Sequence, residues 1–186
     1  YFPTLTPGTQ AHQFVVTNGS DLEQTLTHMI RQATKKIIIG TPYFIPSETL
    51  FQELRDALAR NVSVTIIVPE ISDHALVKEA SFPYFRVLIK DGAEIMQFQR
   101  GFYHSKVILI DDIMCDIGTA NFDKRSCFLN SEMNCIVFDR TFIKDVEKEL
   151  AVDLAESKPL NGDALSSMNV VRSAKESLAS ILSPFL

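Results

Sequence analysis

Two periodicities alternate along this 186-residue chain, and the switches between them predict its architecture. After an extended start containing Pro3, Pro7 and Gly8, residues 14–17 read as a short strand and Asn18-Gly19 as a turn. Ser20 to Glu23 has a capping-box pattern, and the following Leu22, Leu26, Met29, Ile30 and Ala33 fall on one helical face. Residues 36–39 are a β-branched run suited to a buried strand, which ends at Gly40 and leads into Thr41-Pro42-Tyr43-Phe44-Ile45-Pro46. Ser47 is placed to cap a second helix, striped by Leu50, Leu54, Ala57 and Leu58 and closed by Asn61. A strand over 62–68 follows, then a helical region over about 73–90 with Pro83 as a break or kink. Asp91-Gly92 precedes a strand over 94–98.

Strands separated by amphipathic helices of this length imply βαβ units and a sheet covered on both faces. From Phe102 to Asp139 the pattern changes to three consecutive strands, roughly 103–110, 113–118 and 132–138, before a helix at about 141–156. The expected fold class is therefore α/β, a mixed and largely parallel β-sheet flanked by helices on both faces. Residues 1–157 form the expected domain. Pro159, Asn161 and Gly162 mark a linker, and 158–186 comprise that linker and an amphipathic C-terminal helix bearing Leu165, Met168, Val171, Leu178, Ile181, Leu182 and Phe185. Such a helix docks on the core or lies on a membrane surface; its few basic residues favour docking.

Composition narrows the class. Apolar residues at 46% and charged residues at 22% are ordinary globular values and exclude a disordered chain or a disulfide scaffold. The longest aliphatic runs, 37–39 and 107–110, fall far short of the roughly 18 residues of a membrane span. A net charge of -5 argues against a large sequence-independent nucleic-acid footprint, so no nucleic acid is expected as a partner, although it leaves room for a local basic site. Cys115, Cys127 and Cys135 have no metal-knuckle spacing and read as buried filler in a reducing compartment. The chain begins at Tyr1, which suggests a piece of a longer or processed protein.

The chemistry concentrates in Tyr103-His104-Ser105-Lys106-Val107-Ile108-Leu109-Ile110-Asp111 and Gly118-Thr119-Ala120-Asn121. On a strand, His104 and Lys106 project from the same face. If Asp111 and Asp112 make a two-residue turn, His104 faces Thr119 and Asn121 lies one diagonal step away. An imidazole, an ammonium, a hydroxyl and a carboxamide then converge, a nucleophile with several donors for the oxygens of a phosphate ester. Asp111 has the opposite parity and is better suited to holding the turn. Gly118 lets a neighbour or ligand approach closely, or simply bends the strand end. His12, His28 and His74 lack such company and read as ordinary surface or core histidines. The six-position pattern around His104 would arise by chance about once in a hundred thousand chains.

That pattern, HxKx4Dx6G(S/T)xN with His104, Lys106, Asp111, Gly118, Thr119 and Asn121, resembles the HKD signature of the phospholipase D superfamily. The similarity extends to 41–46, to Gly118-Thr119-Ala120-Asn121-Phe122-Asp123-Lys124-Arg125-Ser126, to Phe128-Leu129-Asn130-Ser131-Glu132-Met133-Asn134 and to the closing Leu182-Ser183-Pro184-Phe185-Leu186. These segments look like the second half of bacterial cardiolipin synthases. Thr119 stands where serine is commoner, which keeps the hydroxyl, and Lys124 sits where the family varies.

The resemblance implies a phospholipase D-like catalytic half-domain and a phosphatidyl transfer that uses no metal and no cofactor. Among the implied catalytic residues His104 is one of two histidines, nucleophile and general acid/base. Asp111 belongs to the signature, Lys106, Asn121 and Thr119 bind phosphate oxygens, and Glu132 orients the imidazole. Tyr43, Phe44, Phe102 and Tyr103 are candidates for lining the substrate pocket, or else plain core aromatics. The implied lipids are phosphatidylglycerol, as substrate, and cardiolipin, as product. The implied location is the surface of the inner (cytoplasmic) membrane, with this piece itself soluble. The reaction needs two HKD motifs and this chain carries one. Its partner is then the other half of the same protein, or a second copy in a homodimeric phosphodiesterase, a nuclease or lipase.

Overall fold

A computed structural model describes residues 8–17 and 20–160. In chain order the elements are β1 (His12–Val16), α1 (Asp21–Gln32), β2 (Lys36–Gly40), β3 (Phe44–Ile45), α2 (Glu48–Ala59), β4 (Ser63–Pro69) and α3 (Ala75–Lys90). They continue with β5 (Glu94–Phe98), β6 (Val107–Ile110), β7 (Met114–Gly118), β8 (Phe122–Asp123), α4 (Lys124–Phe128), β9 (Met133–Val137), α5 (Arg140–Ala155) and β10 (Ser157–Pro159). Eight strands make one sheet in the order β1-β9-β7-β6-β2-β4-β5-β10, and β3 and β8 form a separate parallel pair.

Side-chain alternation sorts the sheet into two faces. Ile37, Ile39, Val64, Ile66, Ile108 and Ile110 point to one face and meet Leu22, Leu26 and Ile30 of α1, Leu50 and Leu54 of α2, and Phe85 and Leu88 of α3. Ile67, Val107, Leu109, Cys115 and Val137 point to the other, where Ile143 and Leu150 of α5 cover them. Each fully buried Ile or Leu contributes roughly 1.5–3 kcal/mol, so both layers stabilise the fold substantially. Helices do flank both faces, and the chain is α/β with a mixed sheet.

The sheet is not largely parallel. Only β2–β4 and β4–β5 pair in parallel, while β1–β9, β9–β7, β7–β6, β6–β2 and β5–β10 are antiparallel. The helical connections dictate the parallel pairs, and the run of strands after β5, joined without a crossover helix, folds back on itself. Residues 157–159, expected as linker, extend the sheet as edge strand β10. The expected C-terminal helix of 164–186, the extended start at 1–7 and the Asn18-Gly19 turn lie outside the described residues.

Local signals fared unevenly. Ser47 caps α2, its Oγ accepting from Leu50 N at 3.2 Å. The capping box at Ser20 does not close: Ser20 Oγ accepts from Gln24 Nε2, and Glu23 instead accepts from Ser47 Oγ in the neighbouring helix. Helix α3 runs unbroken through Pro83 because Val77, Phe82, Phe85 and Leu88 are buried on both sides of it, and that packing outweighs one lost backbone bond. The three cysteines are free; burial pushes the thiols of Cys115 and Cys127 up to about 12, consistent with packing residues.

The β6–β7 hairpin corrects the expected register. Its turn spans three residues, 111–113, and partners are Val107↔Ile117 and Ile108↔Asp116, one step from the pairing that would set His104 opposite Thr119. The cause is Asp111. It adopts a left-handed φ of 52°, and its buried carboxylate accepts from Thr34 N and Oγ1 and Lys35 N at 2.9 Å and from Lys36 N at 2.7 Å. Burial acts to raise the Asp111 pKa, but the hydrogen bonds from Lys36, Thr34 and Lys35 outweigh it and hold the carboxyl below its ordinary value. The resulting stability is present above the unfolded carboxyl's pKa and lost as pH falls through the folded one. Asp111→Asn should therefore destabilise the fold by about 2–3 kcal/mol at neutral pH, and denaturant titrations should show the gap narrowing in acid.

Candidate active site

The sheet order brings five strand ends to one edge. Strands β2 and β4 arrive there with their C-termini; β6, antiparallel to β2, begins there, β7 ends there and β9 begins there. Thr41, Tyr43, Asp73, His104, Lys106, Thr119, Asn121 and Glu132 all lie on the short segments at that edge. The C-terminal edge of parallel strands is where open α/β sheets commonly bind ligands.

His104 and Lys106 precede β6 in irregular backbone rather than sitting on the strand expected from 103. Lys106 Nζ lies 3.1 Å from each ring nitrogen of His104 and donates to the His104 carbonyl at 3.0 Å. Desolvation lowers the Lys106 pKa, opposed by the carboxylates of Glu132, Asp123 and Asp73 in that order. Phe102, half exposed, covers the imidazole with ring centroids 5.2 Å apart.

Glu132 is the hub of the opposite wall. Its carboxylate accepts from Thr119 Oγ1, from Asn130 Nδ2 at 3.1 Å and from Ser126 Oγ at 3.4 Å. Thr119 Oγ1 also accepts from Met133 N at 3.0 Å, so this hydroxyl is engaged in holding Glu132. Asn121 donates its backbone N–H to Ser126 Oγ at 3.0 Å, and its buried side-chain oxygen has no hydrogen-bond partner. Its side chain bonds to Asp123, whose Oδ1 caps α4 through Ser126 N at 2.7 Å. Burial raises the Asp123 pKa against those bonds.

Tyr43 closes another side. Its hydroxyl donates to the Asp73 carboxylate at 2.8 Å, and burial, with that bond, pushes the phenol up to about 12. Phe44 and Tyr103, by contrast, are core residues. Phe44 is buried and stacks on Phe122 and Phe85 at 5.2 and 5.3 Å. Tyr103 lies over Gly40, where a Cβ would come within 2.3 Å of its hydroxyl, and donates to Asp153 at 3.1 Å. Asp111 occupies the far end of β6, away from His104, so its place in the signature reflects the fold. Thr17, Asp73, Asp123, Ser126 and Asn130 carry the site without having been singled out. For Asp123 the cap pattern ahead of Ser126 was a readable signal; Thr17, whose Oγ1 accepts from Glu132 N at 2.7 Å, comes from the far end of the sequence.

Beside the dyad runs an open groove of about 400 Å³ between β6, β7 and α5, lined by His104, Lys106, Ile117, Val146 and Leu150 among others. The edge thus joins an imidazole, a cation, fixed polar donors and an adjacent partly apolar channel, a combination suited to a phosphate ester with an apolar body.

The family model described as "Cardiolipin synthase, PLD-like domain" matches residues 26–154. The chain belongs to this family. It is 41% identical over its whole length to the minor cardiolipin synthase ClsB of Bacillus subtilis and 35% identical to the major cardiolipin synthase ClsA of the same organism. It covers 46% and 40% of those proteins, less than half of each. Among solved structures, phosphatidylserine synthase from Haemophilus influenzae Rd KW20 superposes with a TM-score of 0.78 at 20% identity, over 97% of this chain and 48% of that one. Nuc, a phospholipase D family member from Salmonella typhimurium, gives 0.71 at 17% identity, over 82% of this chain and 99% of that one. These two likenesses establish a phospholipase D-like fold.

Within this phospholipase D-like site, Gly118 is a close-approach position. A Cβ there would lie 2.3 Å from Asn134 Oδ1 and 2.7 Å from Asn134 Cα, and backbone cannot yield as a side-chain tip can. Gly118→Ala should cost about 1–3 kcal/mol by overpacking, measurable as a lowered denaturation midpoint with an unchanged m-value.

Proposed function

We propose that this chain supplies one of the two catalytic halves of a cardiolipin synthase, which joins two phosphatidylglycerol molecules into cardiolipin and releases glycerol. The observation that carries this reading is the His104–Lys106 dyad, set against the Glu132, Thr119 and Asn121 wall at one sheet edge in a member of this family. One histidine of the two halves attacks the phosphorus of a first phosphatidylglycerol. An imidazole N–P bond forms, the P–O bond to the headgroup glycerol breaks, and the other histidine hands that oxygen a proton. The headgroup hydroxyl of a second phosphatidylglycerol then attacks the phosphohistidine. Its proton passes to the same acid/base histidine and the N–P bond breaks, which restores both imidazoles.

In this scheme Lys106 and Asn121 hold the non-bridging phosphate oxygens. Thr119 acts through Glu132, and Glu132 acts on the dyad by its charge on Lys106. The groove beside His104 receives the apolar part of the lipid, and the lipid that fills it keeps water from the intermediate, so that transfer prevails over hydrolysis. The reaction takes place at the surface of the bilayer that holds the substrate. Among the described residues no helix is long and apolar enough to cross it.

A second reading draws on Nuc, which this fold matches along 99% of its length, so that one such half is a whole chain there. Two copies of this chain would then pair as a phosphodiesterase. Full-length protein carrying His104→Ala should lose at least about a thousandfold in phosphatidylglycerol turnover while melting at the wild-type temperature. Turnover within tenfold of wild type would refute the role of His104. A homodimer of this chain alone that cleaves DNA or lipid, and stops with His104→Ala, would favour the second reading.

A further inference from the structure

The buried carboxylate of Asp116 lies outside the scheme above. It sits on β7, 3% exposed, on the sheet face that packs against α1, α2 and α3. One oxygen accepts from Asn134 Nδ2 at 2.5 Å; the other, Oδ1, is buried without a partner. A carboxylic acid in an apolar layer is expensive, and burial pushes this one up to about 7 against the pull of the Asn134 amide. An apolar residue would suit the layer better, as Ile108 and Ile136, its neighbours across β6 and β9, do. The fold alone therefore gives no reason for an acid here.

The active-site edge gives one. Asn134 crosses over Gly118, and its Oδ1 accepts from Ala120 N at 3.3 Å. Ala120 lies between Thr119 and Asn121, the residues that hold Glu132 and reach toward phosphate. On one side Thr119 N bonds the Met133 carbonyl at 3.1 Å, and on the other Asn121 N bonds Ser126 Oγ at 3.0 Å. The Asn134 amide holds the middle of this segment. A side-chain amide has two faces that differ only in which end donates, and rotating it by half a turn would aim NH2 at the Ala120 N–H. Once ionised, above its raised pKa, a carboxylate facing the other end removes that option, because it only accepts and only the NH2 can donate to it.

We propose that Asp116 is a positioning residue that locks the Asn134 amide in the orientation that accepts from Ala120, and so sets the Thr119-Ala120-Asn121 segment for phosphate binding. The activity part rests on the reaction assigned above; the orientation part does not. The test uses the full-length protein with Asp116→Leu, Asp116→Asn and Asn134→Ala. Each is followed by thermal melting, by phosphatidylglycerol steady-state kinetics and by amide hydrogen exchange at Ala120. Asp116→Leu should melt at or above the wild-type temperature yet exchange Ala120 at least tenfold faster, with kcat down at least tenfold and KM within threefold. Asp116→Asn carries an NH2 as well as an oxygen, so it no longer enforces one orientation and should exchange Ala120 faster than wild type, by at least threefold, with kcat lowered in step. Asn134→Ala should match the Leu variant's exchange, which keeps the test open if that variant fails to fold. Wild-type exchange in Asp116→Leu, in Asp116→Asn or in Asn134→Ala would overturn the proposal. If wild-type protein leaves phosphatidylglycerol untouched, the assigned reaction fails, and the exchange rates alone still decide the orientation.

Discussion

The fold hangs on one carboxylate. Asp111 takes three backbone N–H groups and a hydroxyl from residues 34–36, at the point where β2 begins and β6 ends. The carboxylate itself is buried, and without those four donors it would be a buried charge with no partner, which is costly. By binding them, Asp111 fixes β6 beside β2 and sets the three-residue turn into β7. Everything at the opposite edge follows from that alignment: where His104 and Lys106 enter, where Gly118 ends its strand, and which part of β9 lies next to it.

The active-site edge then divides into two walls of different character. The His104–Lys106 wall is irregular backbone preceding a strand, partly open to solvent and beside a groove. The Glu132 wall is cross-braced, with Thr17, Thr119, Ser126 and Asn130 each bonded to Glu132 or its backbone. In the reaction proposed for this site, a rigid acidic wall facing a more open cationic dyad sets the protein's fixed dipoles in advance, so that little has to reorganise when a phosphate oxygen arrives. Asp116 and Asn134 carry the bracing one layer deeper, into the apolar face.

Several parts of this were readable from residues alone, for physical reasons that can be named. The stripes Leu22-Leu26-Ile30 and Leu50-Leu54-Ala57 and the β-branched run Ile37-Ile38-Ile39 encode their elements because burial of one face, or of both, leaves a period in the chain. Ser47 encodes its cap because the interaction spans three residues. The grouping of His104, Lys106 and Asn121 was legible because the three occupy one short stretch, and the structure does bring them to one sheet edge. Pro83 does not break helix α3, whose continuity is decided by packing at a distance, and Ser20 misled because Glu23 accepts instead from Ser47, the cap of α2.

By itself, then, the sequence determined the longer helices and most of the sheet strands, the α/β class and the residue types gathered at the candidate site, all of which depend on periods and contacts within a few positions. Only the tertiary structure decided that most strand pairs are antiparallel, that Phe44 and Tyr103 belong to the core, and that Thr119 serves Glu132. It also decided the hairpin register, through bonds between residues 75 to 77 positions apart. Such contacts leave no local period, because the partner of a buried polar group is chosen by whichever strand ends the fold brings beside it.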